Sequence, residues 1–179
     1  MLVKKESQVF RHQILCALVA EQNLLLEDIN LHNHPPGLLP EESHFLKLIA
    51  AISNGCKVMV AKGGSILKLY SGMVTNNEGV ELHFDCGLDR CISYYLEYLL
   101  LIAMTGKTAL NVHLYGLTNH PLDNSIDSIQ NQLLPYLKTH YGIDNELQMR
   151  IIKRGYLPEG GGHVHVVIPS VRKFTKINL

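Results

Sequence analysis

The segment between residues 153 and 162 combines the residue types that most directly suggest binding chemistry. It reads Lys153-Arg154-Gly155-Tyr156-Leu157-Pro158-Glu159-Gly160-Gly161-Gly162. Two cations followed by three consecutive glycines allow backbone N–H groups to come close to an anion, such as the phosphates of RNA. The same composition suits a wide, flexible hairpin loop, which is a common use of glycine. The residue types alone leave both interpretations open.

Histidine pairs are the second candidate for chemistry. His163 and His165 lie two residues apart on a predicted strand, so both side chains point to one face and could supply two metal ligands. His32 and His34 have the same spacing ahead of two prolines. Neither pair has an evident third ligand, so we predict no metal site. The four cysteines include no C-x-x-C pair and are predicted to be free thiols.

Familiar catalytic motifs do not occur in the sequence. The segment Thr105-Gly106-Lys107-Thr108 resembles the end of a phosphate-binding P-loop, but Leu101 stands where that motif needs a glycine. The segment also joins a predicted helix to a strand, whereas a P-loop joins a strand to a helix. Neither G-x-S-x-G nor H-E-x-x-H is present. We therefore predict no catalytic residue and no cofactor.

Apolar periodicity predicts the elements that position these residues. The first set is a strand at 2–5, a helix at 8–19, a strand at 24–31, a helix at 41–52 and strands at 57–61 and 66–70. The second set is a strand at 80–84, a helix at 91–104, a strand at 108–115, a helix at 125–140 and strands at 146–153 and 163–168, with a further short strand at 174–178. Asn124 or Ser125 is predicted to cap the last helix, and Pro135 to kink or break it.

The succession β-α-β-α-β-β thus occurs twice, at a spacing of roughly 80 residues that exceeds solenoid periods. It predicts an α+β fold of tandem modules, each a four-stranded sheet with two helices packed on one face. The segment at 71–79 is the predicted internal boundary. We therefore predict a first repeat over residues 1–72, and a second repeat with a basic C-terminal extension over residues 73–179.

Composition and charge exclude some classes of protein and indicate one kind of partner. Hydrophobic residues make up 46% of the 179 residues and charged residues 18%, which is too apolar for a disordered chain. No apolar stretch is long enough to span a bilayer and the N-terminus has no signal pattern, so we expect a soluble, intracellular protein. Residues 1–149 hold 10 basic and 15 acidic side chains, whereas residues 150–179 hold 6 basic and 1 acidic. A basic end of this kind suits phosphate, or is a set of solvated charges.

Several segments together resemble the RNA 3'-terminal phosphate cyclase family. The R-G-x-x-P-x-G-G-G pattern of residues 154–162 is similar to a signature of that family. The opening Ser7-Gln8-Val9-Phe10-Arg11 and the turn Pro36-Gly37-Leu38 resemble two further family segments. The stretches Ser93-Tyr94-Tyr95-Leu96-Glu97, Gly116-Leu117-Thr118-Asn119, Ser125-Ile126-Asp127 and Val171-Arg172-Lys173 look closer to the branch that acts in ribosome biogenesis. The resemblance runs through nearly the whole chain, and it implies a fold of repeated β-α-β-α-β-β modules.

Departures from the family pattern argue against cyclase chemistry. When the sequence is aligned on Gln8 and Arg11, Lys4 falls where cyclases have a glutamate, and residues 5–7 fall where they have three glycines. The arginines that precede the P-G-L turn of cyclases correspond here to Asn30 and Asn33. The resemblance covers the first half of the family's length, and the histidine that cyclases adenylate falls beyond it. We therefore expect no cyclase activity from this chain by itself.

The resemblance implies a non-cyclase structural or binding factor of small-subunit ribosome biogenesis. It implies pre-rRNA processing and 18S maturation in an early pre-ribosomal particle, and a location in the nucleolus. The implied partners are a nucleolar GTPase of the small-subunit processome, pre-rRNA and other processome components, and no membrane. We predict an anion- or RNA-binding surface made of Arg11, Arg154, Gly160, Gly161, Gly162, Arg172 and Lys173.

Two alternatives remain at this stage. The chain could be a part of an RNA 3'-terminal phosphate cyclase or of a pre-rRNA endonuclease, with the catalytic half missing. It could also be a protein-interaction module without RNA contact. Adenylation of the chain would favour the first alternative, and salt-dependent RNA binding would count against the second.

Overall fold

The computed structural model describes residues 2–5, 9–61, 63–141, 143 and 146–172, and of residues 2–5 and 141 it describes the backbone only. The chain divides into two units, Met1–Thr75 and Asn76–Leu179. Both units contain helices together with a largely antiparallel sheet, so the fold is α+β and that prediction is confirmed.

The first unit is built on a four-stranded sheet. Its elements are β1 (Leu2–Lys5), α1 (Phe10–Val19), β2 (Leu24–Glu27), α2 (Pro40–Ile52), β3 (Ser53–Asn54), β4 (Lys57–Val60), β5 (Leu67–Tyr70) and β6 (Met73–Val74). The strand order is β1-β2-β5-β4, and β3 pairs separately with β6. Strands β1 and β2 are parallel because α1 connects them, whereas β4 and β5 form an antiparallel hairpin.

The second unit has the same strand order with different lengths. A left-handed turn (Asn76–Gly79) precedes β7 (Leu82–Asp85), α3 (Ile92–Met104), β8 (Leu110–Gly116), α4 (Ile126–Ser128), a π-helical turn (Ile129–Leu133), α5 (Leu134–Tyr141), β9 (Gln148–Lys153) and β10 (Gly162–Ile168). The sheet order is β7-β8-β10-β9, with β7 parallel to β8 and the other neighbours antiparallel.

Alternation along β8 and β10 separates an apolar face of the second sheet from a polar one. Leu110, Val112 and Leu114 are fully buried, and their register partners on β10 are Ile168, Val166 and Val164, which are also fully buried. Helix α3 is buried along almost its whole length. Burying one such aliphatic side chain contributes about 1.5–3 kcal/mol, so this face is the core of the unit. The intervening residues of β8 and β10 lie on the opposite face.

The predicted strand at 24–31 is shorter in the structure and ends at Glu27. Asp28 and Asn30 have φ values of 59° and 48°, and this left-handed backbone interrupts the extended chain. Asn30 Nδ2 then donates to the carbonyl of Gly37 at 3.0 Å and to Glu42 Oε2 at 2.9 Å. Because the Leu39 N–H donates to the same carboxylate oxygen at 2.9 Å, the P-G-L turn is tied to the first turn of α2.

The predicted helix at 125–140 contains a change of hydrogen-bond pattern. Ser125 is its N-cap, as predicted, and its Oγ accepts from the Ser128 N–H at 3.3 Å. The π-helical turn precedes Pro135, whose missing N–H cannot close the regular bond to the residue four positions earlier. The predicted strand at 174–178 lies outside the described residues. Among the helices that the structure describes, none is long and apolar enough to cross a bilayer.

Candidate functional site

Three connections meet at the end of the second sheet where the parallel strands β7 and β8 finish. They are residues 86–91 between β7 and α3, residues 117–125 between β8 and α4, and residues 154–161 between β9 and β10, and we call them the three-loop site. The Thr118 N–H donates to the carbonyl of Gly155 at 2.9 Å. The Cys91 N–H donates to Asp123 Oδ2 at 2.9 Å. Two segments that carry the family resemblance, around Thr118 and Arg154, are therefore in direct contact.

Thr118 fixes the basic glycine loop to the end of β8. Its side chain is fully buried, and its hydroxyl donates to the Gly155 carbonyl at 3.0 Å and accepts from the Gly155 N–H at 3.2 Å. A Cβ on Gly155 would lie 2.1 Å from the nitrogen of Gly162 and 2.5 Å from the carbonyl oxygen of Gly116. Position 155 is therefore glycine because three backbone segments approach one another there.

The three-glycine run is closed by its own backbone. Tyr156 and Gly160 form a β-bridge, in which the Gly160 N–H donates to the Tyr156 carbonyl at 2.8 Å. Gly160 and Gly161 have φ values of 69° and 77°, which favour glycine, and Gly162 begins β10 opposite Gly116. The N–H of Gly160 is thus used inside the loop, and an anion would have to approach the neighbouring glycines.

Arg154 is part of the three-loop site, but its guanidinium is paired. Its two terminal nitrogens donate to the two carboxylate oxygens of Asp127, each at 2.7 Å. This double hydrogen bond lowers the pKa of Asp127 and raises the pKa of Arg154, so both groups stay charged. The side chains are 45% and 37% exposed, which places the pair at the surface. An anion that binds Arg154 must therefore compete with a carboxylate.

The other predicted site residues are Arg172, Arg11 and Lys173. Arg172 is exposed, four residues beyond the end of β10. Arg11 is half-buried on α1 in the first unit. Lys173 lies outside the described residues. Of the predicted surface, the structure brings together Arg154 and the three glycines.

Asp123 holds the other two loops of the three-loop site together, a role that no local sequence pattern indicates. Arg90 donates to its carboxylate through Nε, at 3.0 Å from both oxygens, and through Nη2. The Arg90 guanidinium also lies 4.1 Å from the ring centroid of Tyr94. Burial raises the pKa of Asp123, but the hydrogen bonds from Arg90 and Cys91 and the Arg90 charge outweigh it and hold the pKa below its usual value.

The two cysteines of the second unit are free thiols beside these loops. Cys86 and Cys91 are both buried. Burial raises the pKa of each thiol, so both stay protonated at neutral pH. Since the thiolate is the nucleophile, neither residue is activated for covalent chemistry.

A cationic groove follows strand β9, away from the three-loop site. The groove has a volume of about 370 Å³ and is lined by Lys138, Gln148, Met149, Arg150, His165 and Val167. Arg150 on β9 is the register partner of His165 on β10, and Lys138 reaches the groove from α5. The basic C-terminal composition indicated Arg150. The fold brings Lys138 to the same groove, although no local sequence pattern links Lys138 to Arg150.

Replacing Thr118 by Val tests the hydroxyl clamp. The valine keeps the shape of the side chain but leaves the buried N–H of Gly155 without its side-chain acceptor, so we expect the free energy of unfolding to fall by about 1–3 kcal/mol. Urea denaturation measures the change. Thr105→Val is the control, because that hydroxyl bonds Ile102 at the exposed end of α3 and its loss is expected to stay within about 0.5 kcal/mol. Equal losses in the two variants would show that Thr118 is no clamp.

Known proteins that are similar in sequence belong to the family that the motifs resemble. The model of the RNA 3'-terminal phosphate cyclase family matches residues 3–178. The chain is 33% identical over 175 residues to a probable RNA 3'-terminal phosphate cyclase-like protein of Arabidopsis thaliana, and the match covers 97% of this chain and 46% of that protein. It is 34% identical over 167 residues to the RNA 3'-terminal phosphate cyclase-like protein of Homo sapiens, with 93% and 43% covered.

A third relative carries a functional name. The rRNA processing protein rcl1 of Schizosaccharomyces pombe is 27% identical over 169 residues, and the match covers 94% of this chain and 46% of that protein. The chain therefore spans less than half the length of these relatives. Because the family match includes both units and not just the glycine-rich segment, the chain belongs to the RNA 3'-terminal phosphate cyclase family.

Proposed function

We propose that this protein is a non-cyclase structural or binding factor of ribosome biogenesis that acts in processing pre-rRNA for the small subunit. The observation that carries the proposal is the match of nearly the whole chain to cyclase-like relatives, one of which is named as an rRNA processing protein. The proposal includes 18S maturation in an early pre-ribosomal particle, a nucleolar location, and a nucleolar GTPase and other processome components as partners.

The proposed contact with pre-rRNA uses the basic part of the second unit, and Arg11 of the first unit is a separate candidate contact. Arg154 and Gly160–Gly162 belong to the three-loop site, and Arg172 and Lys173 follow β10. Arg150, Lys153, Arg154 and Arg172 are exposed, and Lys138 adds a cation in the groove beside β9. Cations of this kind bind the phosphate backbone and position an RNA without reading its sequence.

Two features support binding over catalysis. Lys4 stands where cyclases have a glutamate, so a carboxylate that could serve a metal or nucleotide is replaced by a cation. The groups of the three-loop site are engaged in structural contacts, since Asp123 binds Arg90 and Asp127 binds Arg154. These contacts hold the three loops in a fixed arrangement, as a binding surface requires.

Binding of a single-stranded RNA oligonucleotide, measured at several salt concentrations, tests the surface. We expect the triple substitution of Arg154, Arg172 and Lys173 by Ala to weaken binding and to reduce the slope of log K against log salt by about 0.7 for each lost phosphate contact. Asp127→Asn should strengthen binding, because it releases Arg154 from its carboxylate. Lys47→Ala removes an exposed cation on α2 of the first unit and should leave the slope unchanged.

An unchanged slope in the triple variant would rule out this surface. The catalytic alternative has its own test, which is incubation with ATP and a 3'-phosphorylated RNA. Covalent adenylation of the chain, or formation of a cyclic phosphate, would contradict the non-cyclase proposal whatever the RNA-binding result.

A further inference from the structure

The outer face of the second sheet carries ring side chains on three neighbouring strands. His83 on β7 is the register partner of His113 on β8, and His113 is the partner of His165 on β10. Tyr115 pairs in the same way with His163. His113, Tyr115, His163 and His165 alternate with the buried apolar residues of β8 and β10, and His83 alternates with the half-buried Leu82 and Phe84 of β7. All five therefore lie on the face of the sheet opposite the core.

The rings of this face stack on one another. The centroid of His113 lies 4.8 Å from that of His83 and 4.2 Å from that of His165, and the planes differ by only 11° and 8°. Tyr115 and His163 stack with centroids 4.5 Å apart. Because His113 is stacked on both sides, it has no free face for a nucleobase. The chemistry that it can offer to a ligand is that of its ring nitrogens.

Three potential ligand atoms converge beside these rings. Nε2 of His83 lies 3.0 Å from Glu81 Oε1, and Nε2 of His113 lies 3.1 Å from the same oxygen. All three atoms lie within 4.8 Å of one another. In a tetrahedral zinc site with bonds of 2.0–2.2 Å, neighbouring ligand atoms are about 3.3 Å apart. Two of the three separations are therefore already close to those of a metal site.

The remaining nitrogen of each imidazole has a partner. Nδ1 of His83 lies 2.8 Å from the Tyr115 hydroxyl, and Nδ1 of His113 lies 2.7 Å from Nε2 of His163. Histidine ligands of metals characteristically hydrogen-bond through the other nitrogen, which fixes the tautomer and the orientation of the ring. Tyr115 and His163 are placed to accept from these Nδ1–H groups, and in that tautomer each Nε2 would have a lone pair for an ion held together with Glu81.

We propose that Glu81, His83 and His113 form a mononuclear site for a divalent transition-metal ion of the zinc class, with Tyr115 and His163 as positioning residues. Two imidazoles and one carboxylate are an established zinc ligand set, and they leave a fourth position for water or for a donor from a partner. The ion joins the edge strand β7 to β8. The site contains no residue of the three-loop site, and it does not depend on the proposed role in ribosome biogenesis.

Zinc binding to the full chain, measured by competition with a chromophoric chelator after all metal has been removed, tests the site. We expect one equivalent of Zn²⁺ to bind. Glu81→Gln, His83→Gln and His113→Gln should each lower the affinity about 100-fold, and Tyr115→Phe about tenfold. His165→Gln is the matched control, because this ring stacks on His113 but its Nε2 bonds Asn111 at 2.7 Å. The His165→Gln variant should bind Zn²⁺ with the same affinity as the unchanged chain.

Cobalt provides a second readout that distinguishes these ligands from thiols. We expect the visible bands of tetrahedral Co²⁺ without a thiolate charge-transfer band. A thiolate band would assign the ion to a cysteine such as the exposed Cys16 and would overturn the proposal. The proposal would also be overturned if Zn²⁺ did not bind at one equivalent, or if His165→Gln lost as much zinc affinity as the ligand variants. The side chains would then be a cluster held by hydrogen bonds alone. Thermal unfolding in EDTA checks that each variant folds. The zinc affinities of any two ligand variants that fold are enough to test the proposed site.

Discussion

Gly155→Ala is expected to disrupt the three-loop site and to lower the free energy of unfolding by at least about 3 kcal/mol, at the upper end of overpacking costs. The new methyl group would lie 2.1 Å from the nitrogen of Gly162, 2.5 Å from the carbonyl oxygen of Gly116 and 2.7 Å from that of Gly160. All three atoms are backbone, so no side chain can rotate away. Relief requires the loop to separate from the end of β8, which also breaks the hydrogen bonds between Gly155 and Thr118.

Urea denaturation of the full chain measures this loss, and amide chemical shifts show where it occurs. We expect the largest shift changes in residues 116–118 and 154–162. Gly161→Asn is the matched control in the same loop. A Cβ at position 161 meets only the end of the Lys153 side chain at 3.6 Å, and asparagine tolerates its φ of 77°. If the two variants were equally stable, the close approach at Gly155 would not determine the loop structure.

The elements of the fold follow from local patterns, which explains why the sequence predicts them well. The apolar run of α3 was predicted at 91–104 and is observed at Ile92–Met104. Strand β10 was predicted at 163–168 and is observed at Gly162–Ile168. Both signals depend on the 3.6- and 2-residue periods of neighbouring side chains. Where local backbone chemistry overrides periodicity, as at Asp28 after β2, the prediction extends the strand too far.

The contacts of the candidate site depend on which strands become neighbours, and periodicity carries no such information. The residue types at Arg154 suggested an anion site, but its partner Asp127 lies 27 positions earlier in the chain. Thr118 and Gly155 meet across 37 positions because β8 and β10 are adjacent. The histidine pair on β10 was correctly placed on one face, yet the metal ligands that we propose include His83 from the edge strand β7 and Glu81 just before that strand.

Asp123→Asn is expected to produce the second large loss, about 2–4 kcal/mol in the free energy of unfolding at neutral pH. The Asp123 side chain is only 5% exposed, and it accepts hydrogen bonds from Arg90 and from the Cys91 N–H. Asparagine keeps the shape but removes the charge and turns one acceptor into a donor that faces Arg90. The guanidinium, whose side chain is 20% exposed, then loses the carboxylate that it contacts through Nε and Nη2.

The pH dependence separates the charge of Asp123 from its shape. Because the folded-state pKa of Asp123 is lowered, its contribution is fully present above its unfolded pKa of about 4 and is lost as the pH falls through the folded value. The stability difference between the unchanged chain and Asp123→Asn should therefore shrink in acid. Asp127→Asn is the matched control, since Asp127 makes an equally direct contact with Arg154 but at the surface, where water screens the charges. A stability difference for Asp123→Asn that stayed constant down to acidic pH would show that the variant acts through shape and not through the ion pair with Arg90.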